Sequence, residues 1–288
     1  MDSKESRTTA EHGAASADFA AIKISGPDRI EFLQGQLTQD LAELTPDRPM
    51  PAGWNNPKGR LLAIVWLLDW QDAVWMLLPA ELLNSVVRRL GMFILRAAVT
   101  LEAAATPVSL RTSISHENTN LNSCFNESFY CLETADGATL LVGDGAADAP
   151  AELSGDDWRL AHIRSGRPWI WQTTAEEFVP QMVNLDLLGG ISFTKGCYVG
   201  QEIVARTHNL GRIKRRMYRF SAPENTAIGA GDTVYAGGKP AGVVVDAVGS
   251  ELLAVVRIES LQQGLALDEA GEQMLQIQPL PYAVPESI

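Results

Sequence analysis

Leu188-Gly189-Gly190-Ile191-Ser192-Phe193-Thr194-Lys195-Gly196-Cys197-Tyr198-Val199-Gly200-Gln201-Glu202 is the stretch on which the reading of this chain turns. Its glycines permit positive φ angles and close backbone approach, so it reads as a tight irregular loop. A helix is expected to open near Gly200 and to run through Ala205. Upstream, strand and helix patterns mix without regular strand–helix–strand repetition, which indicates α+β layering rather than a doubly wound sheet. Downstream of about Ser221, short strands are expected at residues 233–236, 241–248, 252–258 and 274–277, with turns at Gly237-Gly238 and Gly249-Ser250. No long helical pattern accompanies them, so this part reads as a small β-barrel.

Working back toward the start, residues 19–25 alternate like a short strand. Gly26-Pro27-Asp28 opens a helix with apolar positions Ile30, Leu33, Leu37, Leu41 and Leu44. Residues 46–57 are rich in proline and read as a loop. Residues 61–68 form a buried strand, with 69–72 as a turn and 74–78 as its hairpin partner. Pro79 starts a helix that buries Leu82, Leu83, Val86 and Leu90. Strands are expected at 99–101 and 108–110, then a loop over 118–126. Strands at 129–133 and 139–142 flank Asp136-Gly137, a hairpin signal. Residues 143–155 read as a loop, and Asp156-Asp157 cap a helix through Ile163 that Gly166 and Pro168 end. The organisation is a disordered polar tail at 1–16, two interleaved α+β subdomains at 17–210 and a β-barrel at 211–288.

The 288 residues are 46% hydrophobic and 20% charged, an ordinary globular composition with enough chain for more than one domain. The net charge of −12 works against a nucleic-acid partner or a membrane surface. The apolar run at 61–68 is too short to span a bilayer, and the polar N-terminus does not read as a signal peptide. A cytoplasmic protein, taken as a monomer, is the expectation. Cys124, Cys131 and Cys197 are odd in number and form no Cys-x-x-Cys pair, and the histidines are scattered, so neither a disulfide framework nor a metal site is expected.

Cys197 lies just before an expected helix N-terminus and two residues from Lys195. Both features favour a thiolate, the form a reactive cysteine needs. A buried, inert cysteine is the other reading. Between Lys195 and Phe220 the basic residues Lys195, Arg206, Arg212, Lys214, Arg215, Arg216 and Arg219 face a single acid, Glu202. The run is either an anion site or a solvated turn between two domains. Phe19 and Trp158 are core aromatics by default, although a flat heteroaromatic ligand would need such rings.

Lys195-Gly196-Cys197-Tyr198-Val199-Gly200-Gln201-Glu202 resembles the signature of the YgfZ family of folate-binding proteins. Phe178-Val179-Pro180-Gln181, Asn184-Leu185, Leu188 to Phe193 and Val204-Ala205-Arg206 fit as well. So do Phe32-Leu33-Gln34-Gly35-Gln36-Leu37-Thr38 and Pro279-Leu280-Pro281-Tyr282, so the resemblance runs through nearly the whole chain. It implies a glycine-cleavage T-protein-like fold of three domains, the last a β-barrel. It implies binding of tetrahydrofolate or a derivative, and support for assembly or repair of iron–sulfur clusters in client proteins, including tRNA-thiolating enzymes. By position, Cys197 matches the functional cysteine, within a motif that includes Lys195, Gly196, Tyr198, Gly200, Gln201 and Glu202. The family's two folate-contacting tryptophans fall at Phe19 and Trp158, so one is replaced by a ring without an indole N–H. Arg206 and Arg215 are candidates for the carboxylates of the folate tail.

True aminomethyltransferases carry an essential carboxylate a few residues after a Lys-Gly pair. Here Asn56-Pro57-Lys58-Gly59-Arg60 leads into Leu61-Leu62-Ala63-Ile64, with no acid in reach. The first expectation is therefore a maintenance factor acting through Cys197. A tetrahydrofolate-dependent one-carbon transferase is the alternative, and a folate sensor without chemistry a third reading. A direct RNA-modifying enzyme lacks a supporting motif.

Overall fold

The computed structural model describes residues 19–103, 108–112, 123–125, 129–133, 138–143, 154–209 and 213–285. Of residues 108–143, only the side chains of Tyr130 and Val142 are described. The N-terminal tail, the Asp136-Gly137 turn and Arg212 lie outside the described residues.

The first sheet is antiparallel. It is built from β1 (Phe19–Ser25), β2 (Met50–Asn55), β3 (Leu61–Trp70), β4 (Ala73–Pro79) and β5 (Thr100–Ala103), in the order β2-β3-β4-β1-β5. The β3–β4 hairpin turns on Gln71 and Asp72, both at positive φ (53° and 52°), as a two-residue hairpin turn of matching twist requires. Both faces of β3 are covered. Ala63, Val65 and Leu67 join a core with Phe32, Leu33, Val86 and Leu90. Ile64, Leu68 and Trp70 join two other cores on the opposite face.

Two expectations near the start need correction. The helix read through Leu44 ends early, as α1 (Arg29–Gln34) capped by Gly35. Leu37 bridges Trp54, and the Thr38 N–H donates to the Gly53 carbonyl at 2.9 Å. The backbone thus leaves the helix to pair with β2, and a 3-10 turn follows at Leu41–Glu43. Leu37, Leu41 and Leu44 still enter one core, so the spacing reported burial correctly and continuity wrongly. The second correction is β2 itself, which occupies the expected loop at 46–57. It is the sheet edge, where Pro51 is tolerated for want of an N–H to donate.

A second sheet takes β6 (Val108–Thr112), β7 (Ser123–Phe125), β8 (Phe129–Glu133) and β9 (Ala138–Gly143) in the order β6-β9-β8-β7. β7 lies within the loop expected over 118–126. The helices α2 (Leu83–Gly91), α3 (Gly155–Arg164) and α4 (Gln201–Asn209) complete this part. α3 is capped by Ser154 in a reciprocal capping box with Asp157, so the cap sits two residues before Asp156.

The remaining strands close a barrel: β10 (Arg215–Ser221), β11 (Thr233–Ala236), β12 (Lys239–Val248), β13 (Glu251–Arg257), β14 (Leu265–Ala266) and β15 (Met274–Gln278), with β15 pairing back onto β10. The fold is α+β with a C-terminal barrel, as expected. β10 was hidden in the sequence by its arginines. The barrel docks through a shared core in which Met217, Val245, Leu253 and Val255 meet Leu61, Ile64, Phe178, Leu185 and Val204. Arg216, 1% exposed, crosses this junction to form paired hydrogen bonds of 2.6 and 2.8 Å with the Asp186 carboxylate. Removing one partner would strand a buried charge, which typically costs about 3–5 kcal/mol.

Candidate functional site

The loop ahead of α4 is held by two segments far away in sequence. One is the stretch just after α1. The Thr38 hydroxyl donates to the Gly190 carbonyl at 2.5 Å, and Gln39 Nε2 donates to the Gly189 carbonyl. Ser192 N–H donates to the Thr38 carbonyl (2.9 Å) and Val199 N–H to the Gly35 carbonyl (3.3 Å). Lys195, only 8% exposed, drives its ammonium onto the carbonyls of Leu37 (2.8 Å) and Gln39 (2.6 Å) and lies 5.4 Å from the Tyr198 ring centre. Burial lowers the Lys195 pKa to about 8, partly opposed by Asp40, and burial pushes the Tyr198 phenol up to about 12.

The second segment is the turn after β2. Gly200 sits at φ +80°, and a Cβ there would come within 2.6 Å of the Asn56 carbonyl oxygen and 2.9 Å of the Gly59 Cα. A Cβ on Gly59, at φ +69°, would in turn fall 2.7 Å from Ile203 Cβ of α4. The glycines of the two motifs are therefore needed for one backbone-to-backbone contact. Beside it, Gln36 Oε1 and both amide atoms of the buried Asn55 have no hydrogen-bond partner. Unpaired buried polar atoms are uncommon and concentrate where strain or a ligand explains them.

Within this clamp the motif residues divide by role. Lys195, Tyr198 and Gly200 hold the loop. α4 begins at Gln201, whose N–H donates to the Tyr198 carbonyl at 3.2 Å. Glu202 pairs with Arg206 one turn on, at 2.7 Å, on an exposed surface where such a pair contributes little. Gly196 is in open space, and Cys197 is exposed. The Lys195 ammonium is engaged by two backbone carbonyls, those of Leu37 and Gln39. Among the described residues no cluster of His, Cys, Asp and Glu could hold a metal ion.

Phe19 and Trp158 do meet, with ring centres 6.1 Å apart in an edge-on arrangement. They meet inside a core, at 3% and 0% exposure, with Trp169 4.9 Å from Phe19 and His162 4.6 Å from Trp158. No ring face of Trp158 is open to a ligand in this arrangement. Burial pushes the His162 pKa down to about 3, with Arg167 adding to the effect.

An open aromatic face lies elsewhere. A cleft of about 250 Å³ is lined by Pro51, Ile64, Trp66, Arg167, Leu185 and Leu188, among others. Trp66 is half-buried, with the Arg167 guanidinium 5.7 Å from its ring centre. Leu185 forms one wall, and a Cβ on Gly190 would fall 2.4 Å from it, so the cleft and the Cys197 loop share a contact. None of the lining residues is acidic. The sequence reading missed Trp66 and Arg167. The signal was the alternation along β3, which places Ile64 and Trp66 on one face after the Lys58-Gly59 pair. Arg206 and Arg215 do not line this cleft; Arg215 lines a different one.

No protein-family model matches the chain. The crystal structure of glycine cleavage system aminomethyltransferase T from Bartonella henselae superposes with a TM-score of 0.66 at 13% identity, covering 93% of this chain and 84% of that one. The architecture is thus the glycine-cleavage T-protein fold. Among curated sequences, the tRNA-modifying protein YgfZ of Enterobacter sp. (strain 638) is 30% identical over 93% of this chain and 92% of its own. YgfZ of Hamiltonella defensa is 30% identical over 70% of this chain and 67% of its own. YgfZ of Serratia proteamaculans is 28% identical over 93% and 92%. The chain belongs to the YgfZ family. No described helix is long and apolar enough to cross a membrane.

Proposed function

We propose that this protein is a cytoplasmic, folate-binding maintenance factor that assists assembly or repair of iron–sulfur clusters in client enzymes, tRNA-thiolating enzymes among them, through Cys197. The observation that carries the reading is the division of labour in the loop. Lys195, Tyr198 and Gly200 are committed to holding the backbone, and the thiol is the chemically versatile group left outside. An exposed thiol can supply a thiolate to an incompletely ligated cluster, the client providing the remaining ligands, because clusters take about four.

The Trp66 cleft suits the flat head of a folate. It offers an aromatic face, apolar walls and a cation at the rim. Its volume, below the roughly 300–1,000 Å³ typical of ligand pockets, suits a ring system with the rest of the ligand outside. Trp66 and Arg167 would orient the ring, and the folate would supply one-carbon or redox chemistry when bound. Aminomethyl transfer is disfavoured, because the face of β3 turned to the cleft presents Ile64 and Trp66 where an acid would be needed to handle the proton.

The test complements cells lacking the protein with Cys197→Ala or Trp66→Ala and reads a cluster-dependent enzyme activity. Both variants are expected to fail. Purified Trp66→Ala should bind tetrahydrofolate roughly tenfold more weakly, in line with a lost aromatic contact, and Cys197→Ala should bind it normally. Full rescue by Cys197→Ala overturns the thiol mechanism. Unchanged affinity in Trp66→Ala overturns the cleft.

A further inference from the structure

The basic run between α4 and the barrel resolves into paired and unpaired charges. Arg206 pairs with Glu202, Arg216 with Asp186 and Arg219 with Glu251 at 2.6 Å. Lys214 and Arg215 have no ion pair or side-chain hydrogen bond among the described residues, and both line a second cleft of about 350 Å³. Its walls are Val179, Met182 and Ile213, with Thr207 of α4 at one side.

Two further features single the cleft out. First, Arg215 on β10 lies directly opposite Arg257 on β13 in the antiparallel register, and Arg257 is likewise without an ion pair among the described residues. Directly opposed residues share a face of the sheet, and like charges there are destabilising. A chain of net charge −12 has carboxylates to spare, yet none among the described residues relieves this pair. Second, Gln181 lines the same cleft at 0% exposure. Its Nε2 donates to the Val204 carbonyl at 2.7 Å, which fixes the amide orientation and leaves Oε1 without a donor.

We propose that this cleft binds a small amphipathic anion: an apolar body against Val179, Met182 and Ile213, with carboxylate or phosphate oxygens on Lys214, Arg215 and Arg257. A donor group on the ligand would satisfy Gln181 Oε1. Bidentate guanidinium contacts suit both kinds of oxyanion. The site is separate from the Trp66 cleft, across the segment 179–188, and requires neither folate nor Cys197.

The experiment titrates the full protein calorimetrically with tri-γ-glutamate and, separately, with inorganic pyrophosphate. Saturable binding of either is expected, and the stronger probe identifies the source as carboxylate or phosphate. The Lys214→Gln/Arg215→Gln double variant should weaken it at least tenfold, and Trp66→Ala should leave it unchanged. Without ligand, Arg257→Gln should raise the melting temperature by about 1–3 °C as the opposed charges are relieved. Absence of saturation with both probes at millimolar concentration overturns the proposal. So does binding indifferent to the double variant, or a lowered melting temperature in Arg257→Gln.

Discussion

The Cys197 loop and the aromatic block around Trp158 both carry positions singled out by family resemblance, and they are built from opposite materials. The loop is a polar clamp, with hydrogen bonds to carbonyls and two touching glycines, and it leaves a thiol outside. The block is ring against ring, and it leaves nothing outside. A matched position can therefore serve chemistry or only the platform beneath it, and burial separates the two. Each region also holds one buried base, His162 in the block and Lys195 in the loop. Desolvation disfavours the charged form of both, but in different pH ranges.

The largest expected effect is acid sensitivity of the block. The folded-state pKa of His162 is about 3 against 6.5 for the free side chain. Between those values the unfolded chain takes up a proton that the folded chain refuses. Stability is then fully present above pH 6.5 and falls as pH drops toward 3. At about 1.4 kcal/mol per pKa unit the window carries on the order of 5 kcal/mol. His162→Met, similar in bulk, should flatten the dependence of the urea midpoint on pH between 6.5 and 4. An unchanged slope would mean that His162 gains a proton without penalty and that the block is not as dry as its geometry shows.

Next in size is the backbone contact of the loop. Gly200→Ala places a methyl group against the Asn56 carbonyl at a positive φ, so strain and overpacking combine to about 3 kcal/mol. Gly196→Ala, three residues before Val199 and in open space, should change stability by less than about 0.5 kcal/mol. Equal losses in the two variants, measured by urea denaturation, would show that the loop is sensitive throughout and that the Gly59–Gly200 contact has no special place.

Much of this was legible in the sequence because it is local. A continuous apolar run marked β3, its hairpin partner followed as β4, and Gly237-Gly238 marked a turn between barrel strands, at φ 55° and 74°. What escaped was decided by partners distant in sequence. The extent of α1 depends on Leu37 finding Trp54, β2 depends on being an edge, and β10 looks like a charge run because Arg216 has Asp186 to meet. The motif around Cys197 could be recognised from its residues, but not that Lys195 would turn to Leu37 and Gln39. The same holds for Phe19 and Trp158: spacing shows aromatic character but not whether a ring has an open face. Trp66 had one, and only the pairing of β2 with β3 and the return of the chain at Arg167 reveal it.

The smallest effect, and the most discriminating, concerns Lys195. Removing its ammonium in Lys195→Met leaves the Leu37 and Gln39 carbonyls without that donor, a loss of about 2 kcal/mol at neutral pH. The pH dependence tests the mechanism. Its folded-state pKa, about 8, lies below the ordinary 10.5, so below pH 8 both states are charged and the folded state bears the full desolvation penalty. Between pH 8 and 10.5 the unfolded chain keeps a proton that the folded chain has released, and stability from this group rises with pH. The gap in urea midpoint between the wild type and Lys195→Met should therefore widen from pH 7.5 to 9.5. Tyr198, pushed up to about 12, acts in the opposite sense only above its ordinary value of 10 and does not interfere in that range. A gap that narrows instead would mean that the charge itself holds the loop, making Lys195 an electrostatic anchor for the Cys197 region rather than a neutral-tolerant clamp.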